Sequence, residues 1–488
     1  MAAIITEKFR KHNADQFYES FSEAAASTYY LFIGKSSPFT NSTSGGDDNS
    51  PPAPKDDVSS EFYKWDSMLA AKLISSSDVS YVIPRRNWVD NTTYDMYEHD
   101  ISSSNPTTSG ATNLYEGTFY FMTSEYKVYK VLDNNGGDPY SGAEPTGTGN
   151  IPFELGGYTL QYMYTLSTSQ IQKFVTNDFI PVTTESAVQS AAVDGSIDAV
   201  RTTAGSGYTD GTYYAAINGD GSGGVVEINV SGGAIVKFGK SAGETDVVTA
   251  GTGYTFGTID LTDVYSDSSL NTAANIGSGT NGTVVPIISP KGGHGSNAEA
   301  ELGGHFVMMN TKLEQAEGDD ITVANDFREV GIVKDPFAIG TTTVASISTA
   351  RQTSIVKLAS APSVAYEIDE KITQSTTGAV GRVVEYDATN LTLFYVQERF
   401  SDYGVDANGD ATAFSGANVI TGANSGAAAT PDATATSATV GSTTVTLTAG
   451  YAGPELEPNS GDIIYVENRR PISRASDQTE DIKIVVEF

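Results

Sequence analysis

A chain of 488 residues, 39% hydrophobic and 18% charged, is long enough for two to four domains and too apolar for a disordered polymer. Its formal charge of −32 repels phosphate backbones and anionic membranes, so neither nucleic acid nor membrane is an expected partner; the acidity favours solubility or docking on basic surfaces. The absence of cysteine excludes disulfides, thiolate-bound metal centres and thiol catalysis, and suits folding in a reducing cytoplasm.

The segment Met1 to Arg10 lacks the pattern of a signal peptide, and no stretch approaches the roughly 20 apolar residues of a membrane span. Asn13 and Gln16 have capping-box spacing, and Phe17 and Phe21 share one helical face. A strand is expected at Tyr29–Ile33, then an exposed loop from Asn41 to Ser60. Phe62, Trp65, Leu69 and Leu73 predict a second amphipathic helix. Pro84 forces Ile83 into an extended conformation and sets Arg85 and Arg86 at a rigid corner beside Trp88. The plain reading of that corner is an intramolecular Arg–carboxylate clasp with Trp88 over the stem, and the sharper one is a contact with another protein. Aromatic-rich strands follow at Phe119–Leu132 and Tyr158–Leu166, the latter with Tyr and Leu on one face against Thr and Gln, around a loop from Asp133 to Gly149.

The texture then changes. Gly205-Ser206-Gly207-Tyr208-Thr209 recurs as Gly251-Thr252-Gly253-Tyr254-Thr255, an offset of 251 − 205 = 46 residues, and the run from Gly195 matches that from Gly233 loosely. This is a duplicated β unit, each copy carrying a Tyr on a Gly-rich turn. Ordinary globular texture returns from Pro286 to Phe337, with Lys291 and His294 among glycines. A further β segment runs to about Glu455. Within it Asn390–Phe400 is apolar on both faces, and Asn418–Ala438 reads as a low-complexity loop able to bury little. The expected fold is mainly β (α+β) and multi-domain, with sandwich- or barrel-like units and a few short helices near the N-terminus. Its domains are 1–185, an inserted duplicated unit 186–285, a core continuation 286–337, a second inserted module 338–455, and a C-terminal strand segment 456–488.

Catalytic raw material is thin. His12, His99, His294 and His305 show no metal-ligand spacing, and His294 reads best as a hydrogen-bonding side chain on a turn. Gly219–Gly224 lacks the Lys-Ser/Thr of a phosphate loop, and Asp406–Asp410 departs from a calcium loop at its glycine and at Ala417, leaving an Asx-rich turn. No cofactor, metal, small-molecule substrate or catalytic residue is expected, although so acidic a chain always offers carboxylate pairs of glycosidase type.

The richest stretch is the C-terminal one: Glu467-Asn468-Arg469-Arg470-Pro471 reads as a corner, Asp477-Gln478-Thr479-Glu480 as an acidic turn, and Ile482–Phe488 as an apolar strand. With Lys8-Phe9-Arg10, Phe17-Tyr18, Phe32-Ile33-Gly34-Lys35-Ser36, Ile83-Pro84-Arg85-Arg86-Asn87-Trp88, Gly157–Tyr162 and Asn325–Pro336, it resembles, collinearly and over about half of the chain, the eighth-gene baseplate wedge subunit of T-even-type contractile-tailed phages. Asn87 stands where the family has an acid, and Arg470 where it has Pro. The resemblance implies a non-enzymatic virion protein of the tail baseplate, a homodimer that joins other wedge subunits and passes on their rearrangement during contraction. Arg85, Arg86, Trp88, Asn468, Arg469 and Arg470 are the candidate assembly contacts. The competing readings are an adhesin touching glycans or partners through exposed Tyr208 and Tyr254, and a polysaccharide depolymerase.

Overall fold

The computed structural model describes residues 4–39, 46–314, 316–399, 404–406, 409–475 and 477–488. It is mostly strand, in several antiparallel sheets with short helices, and divides into two units. One comprises the chain up to Gln16, Ser80–Met308 and Val485–Phe488; the other comprises Phe17–Val79 and Met309–Ile484.

In the first unit a four-stranded sheet has the order Tyr120–Met122, Lys127–Asp133, Tyr158–Thr165, Phe153–Leu155. Its core is aromatic, built on Tyr94, Phe121, Tyr129, Tyr140 and Tyr158. Tyr140 and Tyr158 meet edge to face at 5.3 Å. A buried tyrosine needs an acceptor for its hydroxyl, and the loop after the second strand supplies three. Tyr158 donates to the Asp138 carbonyl (2.7 Å), Tyr140 to Ala143 (2.8 Å) and Tyr129 to Gly147 (2.8 Å). The loop is irregular because its carbonyls serve side chains rather than a ladder. The alternation expected for Tyr158–Thr165 fails, since every residue but Thr165 is buried and both faces are covered.

Further along this unit, Ile197–Thr203 and Thr283–Ile288 pair antiparallel, from Ile197 opposite Ile288 to Thr203 opposite Thr283. The residues between them form a separate sheet around Gly211–Gly219 and Val225–Ser231. The segment therefore leaves and re-enters the chain at neighbouring points.

The second unit carries a five-stranded antiparallel sheet in the order Thr349–Arg351, Met68–Ile74, Tyr29–Gly34, Phe327–Lys334, Asp462–Ile472. Tyr30, Phe32, Trp65, Met68 and Val333 fill its core. A seven-stranded sheet within residues 354–452 has its own core, including Tyr366, Ile372, Leu393, Tyr395 and Phe414. Thr392–Val396 is buried on both faces, as its composition requires.

Local readings fail where tertiary pairing or close packing overrides them. The first helix spans Glu7–Glu19, so Asn13 lies inside it, and Thr6 accepts from the Phe9 N–H at its start. The second helix stops at Ser67; Leu69 and Leu73 belong to the strand Met68–Ile74, where pairing on both edges outweighs helical spacing. Asn468–Pro471 is not a corner but part of the extended strand Asp462–Ile472. Asn418–Ala438 is not a plain loop: Ile420–Gly422 and Ala428–Ala429 are strands, and Ile420 and Ala427 are fully buried in the core of the seven-stranded sheet. Residues 41–45 of the expected Asn41–Ser60 loop, and Ala407 and Asn408 of the Asx-rich turn, lie outside the described residues.

Candidate functional site

The Arg85–Trp88 group belongs to the first unit, and its polarity is directed inward. The Arg85 guanidinium donates to the Asn87 side chain (2.9 Å) and the Thr176 carbonyl (2.8 Å). Arg86 donates to the Tyr115 carbonyl (2.8 Å) and lies 4.3 Å over the Tyr120 ring. Burial lowers the Arg86 pKa, opposed by Tyr120 and Asp95. Trp88 packs edge-on against Tyr140 at 6.0 Å. The clasp is intramolecular, but its acceptors are carbonyls and an amide instead of the expected carboxylates: Tyr115 lies in the short helix Leu114–Glu116, and Thr176 follows the helix Thr168–Phe174.

Asn468, Arg469 and Arg470 belong to the second unit, in the strand facing Phe327–Lys334. Asn468 donates to the Pro52 carbonyl (2.9 Å) and Arg470 to the Asn49 carbonyl (3.0 Å). Arg328 binds Asp48 through two bonds of 3.0 Å. Asp48–Pro52 is thus strapped to the sheet by three side chains. Arg469 pairs with Glu467 at 3.0 Å, and both Arg469 and Arg470 are exposed.

Tyr208 and Tyr254 are buried, with exposures of 9% and 2%, so neither presents the exposed ring that glycan contact by these residues requires. Each is clamped between two glycine turns in the same way. The Tyr208 N–H donates to the Gly233 carbonyl and the Tyr254 N–H to the Gly195 carbonyl, so the two leading segments are equivalent in space. Gly282 N–H donates to the Tyr208 hydroxyl and Gly224 N–H to the Tyr254 hydroxyl, both at 3.1 Å. Ser206 and Thr280 exchange backbone bonds, and so do Thr252 and Ser222. A Cβ on Gly279 would lie 2.3 Å from the Tyr208 ring, and one on Gly221 would lie 2.4 Å from the Tyr254 ring. The Gly219–Gly224 run exists to let a tyrosine lie flat on backbone.

The chemistry that sequence reading missed is a buried charge network in the first unit. Lys130 is fully buried, with its ammonium 2.8 Å from both Glu301 and the His294 ring. It also lies 4.0 Å over the Tyr97 ring, and Asp198 is 3.8 Å from the other His294 nitrogen. Glu301 accepts from the Gly295 and Asn297 N–H groups as well. Burial lowers the Lys130 pKa against the pull of Glu301, raises that of Asp198, and drives His294 far down, with Lys130 adding to the drop. A neutral imidazole accepting from Lys130 is what these directions describe. The network can hold sequence-distant segments in register; removing Lys130 or Glu301 alone leaves an uncompensated buried charge, at a cost of about 3–5 kcal/mol. The signal in the sequence was a lysine in mid-strand between Tyr129 and Val131. His99 accepts from the Ile288 N–H, His305 pairs with Glu7 at 3.2 Å, and His12 is exposed. Among the described residues no group of three or more His, Asp or Glu is arranged to hold a metal ion, and no helix is long and apolar enough to cross a membrane.

The family profile described as Bacteriophage T4, Gp8 matches residues 3–143 and 429–488. No curated protein matches the chain. The matched segments supply the strands Tyr29–Gly34, Met68–Ile74 and Asp462–Ile472 of the five-stranded sheet, and the strand Phe327–Lys334 between them lies outside the match. The match supports a structural role in a phage baseplate. The chain is thus Gp8-like at both ends, with a long unmatched stretch inserted between them.

Proposed function

We propose that the chain is a non-enzymatic subunit of a contractile-tail baseplate wedge, made in the host cytoplasm and carried in the virion. Two copies associate, bridge other wedge subunits and pass on the rearrangement that accompanies contraction. The observation that carries this reading is the Gp8 match at both ends of the chain. The strand Phe327–Lys334, seated between matched strands, supports counting 286–337 with the Gp8-like core, and 186–285 and 338–455 as the added modules. Of the candidate contacts, Arg469 and Arg470, both exposed, are proposed to meet a partner directly. Arg85, Arg86, Trp88 and Asn468, all partly buried, are proposed to shape the surfaces around such contacts.

Native mass spectrometry of the purified chain tests the dimer, and affinity purification from infected cells tests the wedge. A dimer that recovers other baseplate proteins is expected. A monomer recovering none, together with virions that lack the chain, overturns the reading.

A further inference from the structure

The outward face of the sheet in residues 211–267 carries an ordered row of side chains. Antiparallel register sets Tyr265 opposite Tyr214, Tyr214 opposite Glu227, and Glu227 opposite Asp246. Directly opposed residues point to the same side of a sheet. Their neighbours Tyr213, Ala215, Val226, Ile228, Val247 and Val264 are buried on the other side, so the row faces water, and all four of its members are partly exposed. The carboxylates of Glu227 and Asp263 raise the pKa values of the Tyr214 and Tyr265 hydroxyls respectively, with Asp267 adding to the rise at Tyr214. Lys240, 2.5 Å from Asp246, offsets one of these four carboxylates. The face thus combines two aromatic rings with an excess of negative charge.

We propose that this face docks a basic segment of another protein, its Arg or Lys side chains stacking on Tyr214 and Tyr265 and pairing with Glu227 and Asp263. Charge complementarity selects this occupant. An aromatic face attracts a cation electrostatically, and a carboxylate beside it accepts a guanidinium through two bonds. A neutral glycan gains nothing from the carboxylate excess, and an anionic polymer is repelled by it. The proposal names a partner chemistry for the assembly reading without depending on it, since peptide binding is read on the isolated chain and assembly on virions.

The test titrates the full chain with fluorescein-labelled hexa-arginine. Diffuse attraction to so acidic a protein is separated from docking by substitutions that leave the net charge unchanged. Tyr214→Ala with Tyr265→Ala is expected to weaken binding five-fold or more. The Phe pair, which keeps both rings, is expected to retain most of it, and Phe256→Ala, an exposed aromatic outside the row, to retain all. On the unmodified chain, hexa-arginine is expected to protect residues 212–218 and 263–267 from hydrogen exchange. Equal affinity for the Ala pair and the unmodified chain, or protection elsewhere only, overturns the proposal. So does a neutral oligosaccharide whose binding is lost in the Ala pair while hexa-arginine binding is not.

Discussion

Tyrosine organises the interior of the first unit, because its ring supplies apolar area while its hydroxyl ties down a loop. The duplicated Gly/Tyr turns extend the principle, and they allow a sharp test at single residues. Gly279 and Gly221 do not adopt positive φ, so their need for glycine is steric. Gly279→Ala and Gly221→Ala should each destabilise the protein by about 1–3 kcal/mol through overpacking, and Tyr208→Leu should relieve the first but not the second. Thermal unfolding of the single and paired variants checks this. A second residue-scale prediction concerns Asp133, which burial pushes up to about 7 against a bond from the Asn135 backbone. A carboxyl whose folded pKa lies above its unfolded value of about 3.9 favours the fold fully below that value, and the benefit is lost as pH rises through about 7. Asp133→Asn should remove that pH dependence and raise stability at pH 8 relative to pH 4, by at most about 4 kcal/mol. Unfolding curves of both proteins at the two pH values decide it. The repeated Gly-x-Gly-Tyr was legible in the sequence, but the direction of its ring was not. An aromatic on a glycine turn reads as displayed until the facing turn is known.

At the scale of elements, the strand Phe327–Lys334 decides the second unit. It pairs with Tyr29–Gly34 on one edge and Asp462–Ile472 on the other, joining residues about 300 apart to residues about 140 apart in sequence. A Cβ on Gly331 would fall 2.3 Å from the Phe32 ring and 2.6 Å from the Tyr465 carbonyl. Gly331→Ala should therefore cost about 1–3 kcal/mol and Gly331→Val more, seen as a lower unfolding temperature and reduced soluble yield. The apolar run Tyr29–Ile33 marks a strand on sight, whereas Phe327–Lys334 reads in the sequence only as ordinary globular texture. Met68–Ile74 does not mark a strand either, because Leu69 and Leu73 also fit a helix and only pairing on two edges excludes it.

At the scale of the whole molecule, the duplicated unit enters and leaves through one strand pair. Thr203 and Thr283 face each other at the end of a ladder, so residues 204–282 can be replaced by a two-residue Asn-Gly turn that suits an antiparallel pair. The Lys130–His294–Glu301–Asp198 cluster lies outside the excised stretch. The shortened chain should fold, with circular dichroism and hydrogen-exchange protection around Lys130 preserved. Loss of that protection would show that the segment is integral to the first unit.

The sequence by itself determined the β character, the duplication, the Gly-rich turns and the Gp8-like ends, because composition, period and motif are local and survive without a fold. The tertiary structure alone decided which tyrosines are inside, where Lys130 finds its carboxylate and imidazole, and which strands are neighbours. Those depend on pairing and burial between residues far apart in the chain, and no local pattern encodes a distant partner's position.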